Sequence, residues 1–418
     1  MSITTGFEDR VAQGVTDPDN TTLAEESTFL SLLETTYDRV SVEVIGSSVN
    51  NNDIRKVVVA HPQPVGPQDR PCIYIIAQQH GWETAGREGS FWMMRFLAET
   101  QDAQIIEHLS NVQWVFLPTA NPDNLRVSDD GGRLNSNGVD LNRDHLALTQ
   151  PETQAIWSVI HDYDPDVILD LHEARNTAPE TDIEFAVPVG VEIPQKLRNE
   201  AINLVENYVK PALIGLSYVV GDYEPIIRVS AFTNMVEKNY AVSLLVETER
   251  EDDVNVPPRI DRATMHFETL KAVQTFYSNK ASALVSIKYS EINEKIKEGR
   301  GQLKPLSISD TVTLDPPPAG YTVSSAQWDS LIYERNLVKL RALDTGSSIF
   351  ISMSRRGKLR TPFVIDTDSY DNILNATRIA TAPIINDVSV VGKVGLSKVS
   401  IVSGWVDRQT ILVSKILE

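Results

Sequence analysis

Cysteine and long apolar runs are what the sequence most clearly lacks. The chain has 418 residues and one cysteine, Cys72, which excludes an intrachain disulfide and a cysteine-rich metal site. Any metal ion must therefore be bound by histidine and carboxylate side chains. Neither a basic segment followed by an apolar run at the start nor a stretch of about 18 apolar residues occurs. We expect no signal peptide, no membrane span and, by default, a cytoplasmic location.

Positive charge is also scarce. The chain carries 38 lysine and arginine residues against 57 aspartate and glutamate residues, a formal net charge of −19 at pH 7. Nucleic-acid binding depends on neutralising phosphates with basic side chains, so we expect no nucleic-acid partner. Hydrophobic residues at 41% and charged residues at 23% are typical of globular proteins. Because the length exceeds the usual size of one hydrophobic core, we expect two domains.

Short apolar runs alternate with helical patterns over the first two thirds of the chain. Predicted strands cover 55–60, 72–78, 112–117, 167–171, 216–221 and 241–247. Predicted helices cover 83–99, 150–162, 193–210, 229–239 and 259–278, and a T-x-x-E capping box from Thr149 to Glu152 marks the start of the second. This order predicts an α/β fold with a mixed, largely parallel sheet flanked by helices. Ligands bind such sheets outside the carboxyl ends of the strands.

The composition changes after residue 285. A lysine-rich helical piece leads to a proline-rich segment at 315–319, and from Val338 onward short runs of Val, Ile, Ser and Thr dominate. Such runs are typical of strands. We therefore predict an α/β domain at 1–285, followed at 286–418 by a linker and a small β-rich C-terminal domain.

Two histidines and a carboxylate stand where predicted strands end. His80 and Glu83 lie three positions apart in H-G-W-E, between a strand and a helix, and His172 follows the apolar run of ILDLHE. Zinc accepts these ligand types, and a catalytic zinc ion commonly has three protein ligands and a water molecule. An H-x-x-E spacing alone arises often by chance. The other polar segments decide whether this is a metal site.

A polar loop at 118–145 contains two further motifs. N-P-D at 121–123 opens it, and R-L-N-S-N-G-V-D-L-N-R-D, from Arg133 to Asp144, closes it. With HGWE, DLHE and LLVE in this order, the sequence resembles the zinc carboxypeptidase family, the funnelins, over residues 70–250. The resemblance is closest to the bacterial and archaeal branches that carry R-x-N-x-x-G-x-D-L-N-R. It implies a zinc carboxypeptidase-like fold for the first domain.

The resemblance implies a role for each residue that matches a motif. His80, Glu83 and His172 would hold one Zn²⁺ ion, as in the ligand set known for carboxypeptidase A. Glu247, at the end of LLVE, would be the general base that takes a proton from zinc-bound water. Arg133 would polarise the scissile carbonyl and stabilise the oxyanion.

Substrate-binding roles follow from the same resemblance. Asn142 and Arg143 would grip the substrate's terminal carboxylate, for which the planar guanidinium of arginine is suited. Asp140 would hold one zinc histidine in its tautomer. The family usually adds a tyrosine on a mobile loop. Tyr223 in GDYEP is the nearest candidate by spacing, with Tyr240 behind it.

Two of these roles have competitors in the sequence. Arg126 lies in the same polar loop as Arg133, which is favoured by its spacing from the Asn-Arg pair. Glu249 would face the same side of a strand as Glu247. Glu247 is favoured because it directly ends the apolar run.

The roles of Asp140 and His145 are also open in the sequence. Asp140 is equally suited to be a turn residue, since it follows a glycine by two positions. The remaining histidines complete no ligand spacing and are expected to be structural. Among them His145, directly after the Asn-Arg-Asp run, is the one most worth examining.

The function that the resemblance implies is that of a zinc metallocarboxypeptidase, which removes a C-terminal amino acid from a peptide. An alternative with the same metal site is a zinc-dependent deacylase that cleaves N-acyl amino acids. Either substrate would carry a free carboxylate. A third hypothesis is a non-enzymatic role in which the C-terminal domain docks onto an unknown partner. The presence of all the ligands, the base and the arginines argues against it.

Overall fold

A computed structural model of the protein describes two compact units of the chain. The residues described are 21–61, 70–125, 130–174, 181–188, 193–223, 231–236, 239–249, 257–301, 306–307, 313–314, 320–330, 342–344, 349–352, 377–379 and 389–391. One unit comprises Met1–Glu294 with Ser309–Val312, and the other comprises Lys295–Ile308 with Thr313–Glu418. The boundary expected at residue 285 lies inside a helix that continues to Gly301. A division of the protein at that residue stays a prediction.

Eight described strands of the first unit form one mixed sheet. They are β1 (Val40–Ser47), β2 (Asp53–Val59), β3 (Cys72–Ala77), β4 (Gln113–Leu117), β5 (Val167–Ala174), β6 (Ile183–Ala186), β7 (Val220–Asp222) and β8 (Val242–Glu249). Their order across the sheet is β1-β2-β4-β3-β5-β8-β6-β7. The four central strands β4, β3, β5 and β8 are parallel, and β2 and β6 join them antiparallel. The predicted α/β fold with a mixed, largely parallel sheet is confirmed.

The central strands are apolar because both of their faces are covered. Every residue of β3 and β4 is buried, as is typical of parallel sheets between layers of helices. Each large apolar side chain buried in this way contributes roughly 1.5–3 kcal/mol of transfer free energy. Because β3, β5 and β8 are parallel neighbours, their carboxyl ends meet at one edge of the sheet. Residues that end or follow these strands therefore lie close together.

The described helices of the first unit surround this sheet. They are α1 (Leu23–Thr36), α2 (Ala85–Glu99), α3 (Ala103–Asn111), α4 (Asp130–Arg133), α5 (Pro151–Tyr163), α6 (Gln195–Leu204), α7 (Lys210–Ile214), α8 (Phe232–Val236) and α9 (Arg259–Gly301). A π-helical turn, Val205–Val209, joins α6 to α7. Helix α2 packs against β3 and β5, and a Cβ at Gly86 would approach the Cβ of Leu171 to 2.6 Å. No helix in the described ranges combines the length and the apolar character needed to cross a membrane.

The start of α5 differs from the predicted one. Its N-cap is Gln150, which makes no capping hydrogen bond through its side chain. The Thr149 hydroxyl donates instead to Oδ1 of Asp144 at 2.6 Å, and Glu152 is buried, where it accepts a hydrogen bond from the Asn135 side chain at 3.0 Å. The predicted Thr149–Glu152 capping box is therefore wrong, because tertiary hydrogen bonds take up both side chains.

Several other elements escaped the sequence pattern or differ in length. Helices α1 and α3 and strands β1 and β6 were not predicted. Strand β1 lies at the edge of the sheet with mostly half-buried or exposed residues, and β6 has four residues, so neither carries a strong periodic signal. The strand predicted at 216–221 is reduced to β7. The helix predicted at 259–278 extends to Gly301 and takes in the lysine-rich piece.

The second unit is built from short antiparallel strands. A pair is formed by β9 (Leu306–Ser307) and β10 (Thr313–Leu314). A five-stranded sheet, in the order β14-β11-β13-β12-β15, is formed by β11 (Gly320–Val323), β12 (Ala342–Asp344), β13 (Ile349–Ser352), β14 (Thr377–Ile379) and β15 (Ser389–Val391). Helix α10 (Ser325–Ser330) follows β11. The predicted β-rich character is confirmed, although the strands expected in FVIDT and KVSIVSG lie outside the described residues.

Candidate metal centre and catalytic site

Three buried side chains converge at the carboxyl edge of the sheet. Nδ1 of His80 lies 2.6 Å from Oε1 of Glu83, and Nδ1 of His172 lies 2.6 Å from Oε2 of the same carboxylate. One ligand atom from each residue lies within 4.8 Å of the others, and the described residues contain no other such group of three. Two imidazoles and a carboxylate suit zinc, which in catalytic sites takes three protein ligands and leaves a position open. The structure thus brings the three predicted ligands together in an arrangement that fits a metal ion.

The fold places these ligands at the ends of two paired strands. His80 comes three residues after β3, and His172 lies in β5, which pairs with β3. Gln78 has a positive φ of 57°, which turns the chain away from the strand direction. Gly81 then passes Asn124 so closely that a Cβ would lie 1.7 Å from the Asn124 carbonyl oxygen. A glycine is therefore required within the H-x-x-E turn.

The N-P-D motif fastens the polar loop to this turn. Nδ2 of Asn121 donates to the backbone carbonyls of Gln79 at 3.2 Å and Leu134 at 3.1 Å. The Asp123 carboxylate accepts the backbone N–H of Asn50 at 2.9 Å. The Asn121 bonds thus link the Arg133–Asp144 segment to the residue before the ligand turn, and the Asp123 bond links the start of the loop to the connection between β1 and β2.

Two further carboxylates orient the histidines from behind. Oδ1 of Asp140 lies 3.2 Å from Nε2 of His80, and Oδ1 of Asp170 lies 3.0 Å from Nε2 of His172. A histidine that donates its Nε2 proton to a carboxylate keeps Nδ1 free for a metal. Asp140 was predicted from the sequence, but Asp170 was not. Asp170 could have been found from its position two residues before His172, on the same face of a strand.

The charges of the cluster shift its ionisation. Burial raises the pKa of Glu83, but the charges of His80 and His172 lower it more, so that it lies well below its usual range. Burial likewise raises the pKa of Asp140, while the hydrogen bond to His80 and the charge of Arg133 outweigh it and lower the pKa. Both carboxylates are therefore ionised at neutral pH, as metal ligands and their orienting partners must be.

Zinc binding is expected to release a proton from His172. Burial lowers the pKa of His172, but the carboxylates of Asp170 and Glu83 raise it well above its usual value, so the imidazole without metal is protonated at neutral pH. Because a metal needs the lone pair of Nδ1, zinc must displace this proton, so the zinc affinity should rise as the pH is raised towards the elevated pKa of His172. Calorimetry in two buffers of different ionisation enthalpy should show at least one proton released per ion, from His172 and, in part, from Glu247. An affinity independent of pH would contradict the expectation.

Glu247 lies beside the second histidine. The parallel register pairs it with His172 across β8 and β5. The side chain is 7% exposed, and none of the described residues donates a hydrogen bond to its Oε2. Burial raises the pKa of Glu247 to about 8, with the charge of His172 opposing this shift and that of Glu83 adding to it. A cation held by the neighbouring cluster would favour the ionised form of this carboxylate.

The competitor Glu249 has a different environment. It pairs with Ala174, two positions further along β5 than His172, and it is half-buried. Its backbone carbonyl accepts a hydrogen bond from Arg262 at 3.2 Å. The structure thus brings Glu247 against the cluster and places Glu249 further along the strand. The assignment of the base stays a prediction.

Arg133 reaches the cluster through a carboxylate. Its Nε and Nη2 atoms each lie 2.9 Å from Oδ2 of Asp140, whose other oxygen contacts His80. The Arg133 side chain is 37% exposed, so part of the guanidinium faces outward. Arg126 lies outside the described residues. The oxyanion role of Arg133 stays a prediction.

Asn142 and Arg143 lie in a 3₁₀ turn, Leu141–Arg143. Oδ1 of Asn142 accepts the backbone N–H of Phe232 at 2.8 Å, and its Nδ2 lies 3.3 Å from Nε2 of His172. Both amide atoms of Asn142 therefore have partners inside the protein. The Arg143 side chain is exposed, and its Nη1 donates to the Asn142 carbonyl at 2.5 Å. That these two residues bind a substrate carboxylate stays a prediction.

The two candidate tyrosines differ in burial, Tyr223 being half-buried and Tyr240 fully buried. Tyr223 follows β7, and its backbone N–H donates to the Phe185 carbonyl at 3.0 Å. Burial raises the pKa of the Tyr223 phenol, and the charge of Glu247 raises it further, so the phenol can donate a hydrogen bond at neutral pH. Tyr240 is fully buried with a positive φ of 61°, which favours a structural role. Closure of Tyr223 over substrate stays a prediction.

Comparison with known proteins identifies what this chain is similar to. Residues 27–179 match the model of the zinc carboxypeptidase family. Carboxypeptidase M of Mus musculus is 27% identical over 144 residues, which make up 31% of this chain and 32% of that protein. The resemblance predicted from the motifs is thereby confirmed. The family match contains the three ligand residues and the Arg133–Asp144 motif, whereas Glu247 lies beyond it.

A solved structure extends the likeness of the fold. The metallo-carboxypeptidase from Burkholderia cenocepacia superimposes with a TM-score of 0.50 and 19% sequence identity, over 62% of this chain and 70% of that one. At this identity the likeness concerns the fold. It agrees with the mixed sheet and its covering helices.

Proposed function

Since residues 27–179 match the zinc carboxypeptidase family, we propose that this protein is a zinc-dependent metallocarboxypeptidase that hydrolyses the C-terminal peptide bond of its substrate. The observation that carries the proposal is the buried Glu247 carboxylate beside the His-Glu-His cluster, with an oxygen to which none of the described residues donates. Buried polar atoms with a structural role are nearly always hydrogen-bonded. An unsatisfied carboxylate oxygen suits a group that exchanges a proton with bound reactants.

The reaction divides between the metal position and two side chains. A zinc ion held by His80, Glu83 and His172 would act as a Lewis acid that polarises the scissile carbonyl and lowers the pKa of a water molecule. Glu247 accepts a proton from the attacking water and passes it to the leaving amine nitrogen. Arg133 donates hydrogen bonds to the carbonyl oxygen as it becomes negative in the transition state.

Substrate recognition rests on the exposed arginine of the 3₁₀ turn. Arg143 binds the terminal carboxylate through its planar guanidinium, and Asn142, fixed by Phe232, adds a polar contact from the same turn. The protonated phenol of Tyr223 donates a hydrogen bond to the bound substrate. Together these residues select a substrate with a free carboxylate over one whose C-terminus is blocked.

Arg143→Ala should discriminate between free and blocked substrates. Charge-assisted hydrogen bonds contribute about 1.5–3 kcal/mol, so kcat/KM for a peptide with a free carboxylate should fall roughly 10- to 150-fold. The corresponding C-terminal amide, which offers no negative charge to the guanidinium, should lose far less. Steady-state kinetics on both peptides, with Arg143→Lys as the charge-preserving control, makes the comparison. Equal losses on the two substrates would make Arg143 structural.

A substrate panel tests the proposed reaction against the alternative deacylase. The zinc-loaded full chain is assayed on N-blocked dipeptides and on N-acetyl amino acids that share the same C-terminal residues. Higher kcat/KM on the dipeptides supports the carboxypeptidase. Hydrolysis confined to the acyl amino acids would replace it by a zinc-dependent deacylase, and no hydrolysis of either class would overturn both.

We retain four further expectations as proposals. The α/β domain at 1–285 is the catalytic one, and one zinc ion is bound per chain. Residues 286–418 form a linker and a β-rich domain, to which no role and no docking partner are assigned. The cytoplasmic location favoured by default is likewise a proposal.

A further inference from the structure

A chain of buried hydrogen bonds runs from a tryptophan to the second histidine of the cluster. Nε1 of Trp157 donates to Nδ1 of His145 at 3.1 Å, and Nε2 of His145 lies 2.6 Å from Oε1 of Gln79. Nε2 of Gln79 donates to Oδ1 of Asp170 at 2.8 Å. The same oxygen lies 3.0 Å from Nε2 of His172. None of these five side chains is more than 2% exposed, so the whole line of bonds lies in the interior of the protein.

The chemistry of its first members fixes the polarity of this chain. An indole N–H can only donate, so Nδ1 of His145 accepts and the neutral ring carries its proton on Nε2. Burial lowers the pKa of His145 to about 3, which agrees with a neutral ring. The Nε2–H of His145 needs an acceptor, which turns the amide oxygen of Gln79 towards it. The amide NH₂ of Gln79 is thereby directed at Asp170.

The polarity continues to the metal position. An ionised carboxylate only accepts hydrogen bonds, so Asp170 accepts from the Gln79 amide and from an Nε2–H of His172. Thr233 donates to the other oxygen of Asp170 at 3.2 Å. Two amide nitrogens, Nδ2 of Asn142 and Nε2 of Gln79, also lie 3.3 Å from Nε2 of His172. Both are donors, so Asp170 at 3.0 Å is the acceptor beside this nitrogen. Because Nε2 of His172 donates its proton to Asp170, Nδ1 is the ring nitrogen that can bind a metal.

We propose that this chain, the polarity relay, makes His172 a metal ligand through Nδ1. Trp157, His145 and Gln79 are then positioning residues, since each acts through its neighbour and none reaches the substrate. The inference deepens the proposed function and rests on its metal centre. In the opposite tautomer, His145 would accept from the Gln79 NH₂. The amide oxygen of Gln79 would then face the carboxylate of Asp170, and no hydrogen bond could form between these two acceptors.

A second tryptophan–histidine pair, Trp114 and His108, provides a control because it is not connected to the relay. Nε1 of Trp114 donates to Nε2 of His108 at 3.1 Å, and both residues are buried. Nδ1 of His108 contacts the Ser278 hydroxyl at 2.9 Å instead of a residue of the relay. Trp157→Phe and Trp114→Phe therefore each remove one indole N–H from a buried histidine, and the two variants differ in whether that histidine belongs to the relay.

The test measures zinc affinity of the full chain and of both variants by competition with a chromophoric chelator. We expect Trp157→Phe to weaken zinc binding about 10-fold or more, and Trp114→Phe to leave it unchanged at a similar loss of thermal stability. Nitrogen NMR of the histidine rings in the metal-free protein should show His145 protonated on Nε2. In Trp157→Phe the spectrum should show a mixture of both tautomers.

The outcomes separate the relay from the proposed function. Wild-type zinc binding with equal effects of the two variants, or with no effect of either, would overturn the relay and leave the metal centre standing. A wild-type protein that binds no zinc would overturn the metal centre and the relay with it. If Trp157→Phe does not fold, Gln79→Glu replaces it, because a second carboxylate 2.8 Å from Asp170 should weaken zinc binding at least as much.

Discussion

Substitution of Glu247 by glutamine is expected to lower turnover by about two to four orders of magnitude while zinc content and fold persist. Glutamine keeps the size of the side chain and one oxygen, but it cannot accept the proton of the attacking water. The buried position predicts no loss of stability, because a neutral amide costs less to bury than an ionised carboxylate. Turnover at saturating substrate, zinc stoichiometry and thermal unfolding are measured on the same preparation.

Glu249→Gln is the matched control for this experiment. The residue lies on the same strand two positions on and is half-buried, and its backbone carbonyl accepts a hydrogen bond from Arg262. Its replacement should leave turnover close to that of the wild type. Should Glu249→Gln be the inactive, folded, zinc-loaded variant, the base would have to be reassigned to Glu249.

Replacement of His172 by alanine is expected to abolish zinc binding under conditions that saturate the wild type. Loss of a residue that only orients a ligand typically costs 10- to 100-fold in affinity, so loss of a ligand itself should exceed about 100-fold. The variant also leaves the carboxylates of Glu83 and Asp170 without their shared imidazole. Elemental analysis after dialysis should show metal in the wild type and none in the variant.

Thermal unfolding provides a second readout of the same site. Zinc at about 1,000 times its dissociation constant should stabilise the wild type by about 4 kcal/mol, because it binds only the folded chain. This zinc-dependent gain should disappear in His172→Ala. His108→Ala removes another buried histidine, one whose contacts are Trp114 and Ser278, and it should keep the gain. Undiminished zinc stabilisation of His172→Ala would exclude that residue from the site.

The central sheet was predictable because its signal is local. Strands β3, β4, β5 and β8 are buried on both faces and therefore read as continuous apolar runs. Edge strand β1 and the four-residue β6 carry no such signal, and they were missed. The capping box at Thr149 failed for the opposite reason. Its local pattern was present, but the side chains of Thr149 and Glu152 are hydrogen-bonded to Asp144 and Asn135 instead.

The candidate site divides in a similar way. His80, Glu83 and His172 could be named from residue type, spacing and position at strand ends, and parallel pairing of β3 with β5 brings them together. The sequence favoured Glu247 over Glu249 only because Glu247 directly ends the apolar run, since both would face one side of a strand. The register of β8 on β5 decides which of them adjoins His172.

What the sequence by itself determined is therefore the set of chemically competent groups and the parallel strands that carry them, because both are written in residue type and short-range periodicity. The tertiary structure alone decided how those groups are oriented. Asp170, Gln79, His145 and Trp157 come from four separate segments, and only folding joins them into one line of hydrogen bonds. The direction of such bonds depends on which buried donor lies against which buried acceptor. No pattern along the chain specifies these donor and acceptor pairs. In the proposed relay they determine which nitrogen of His172 can bind a metal.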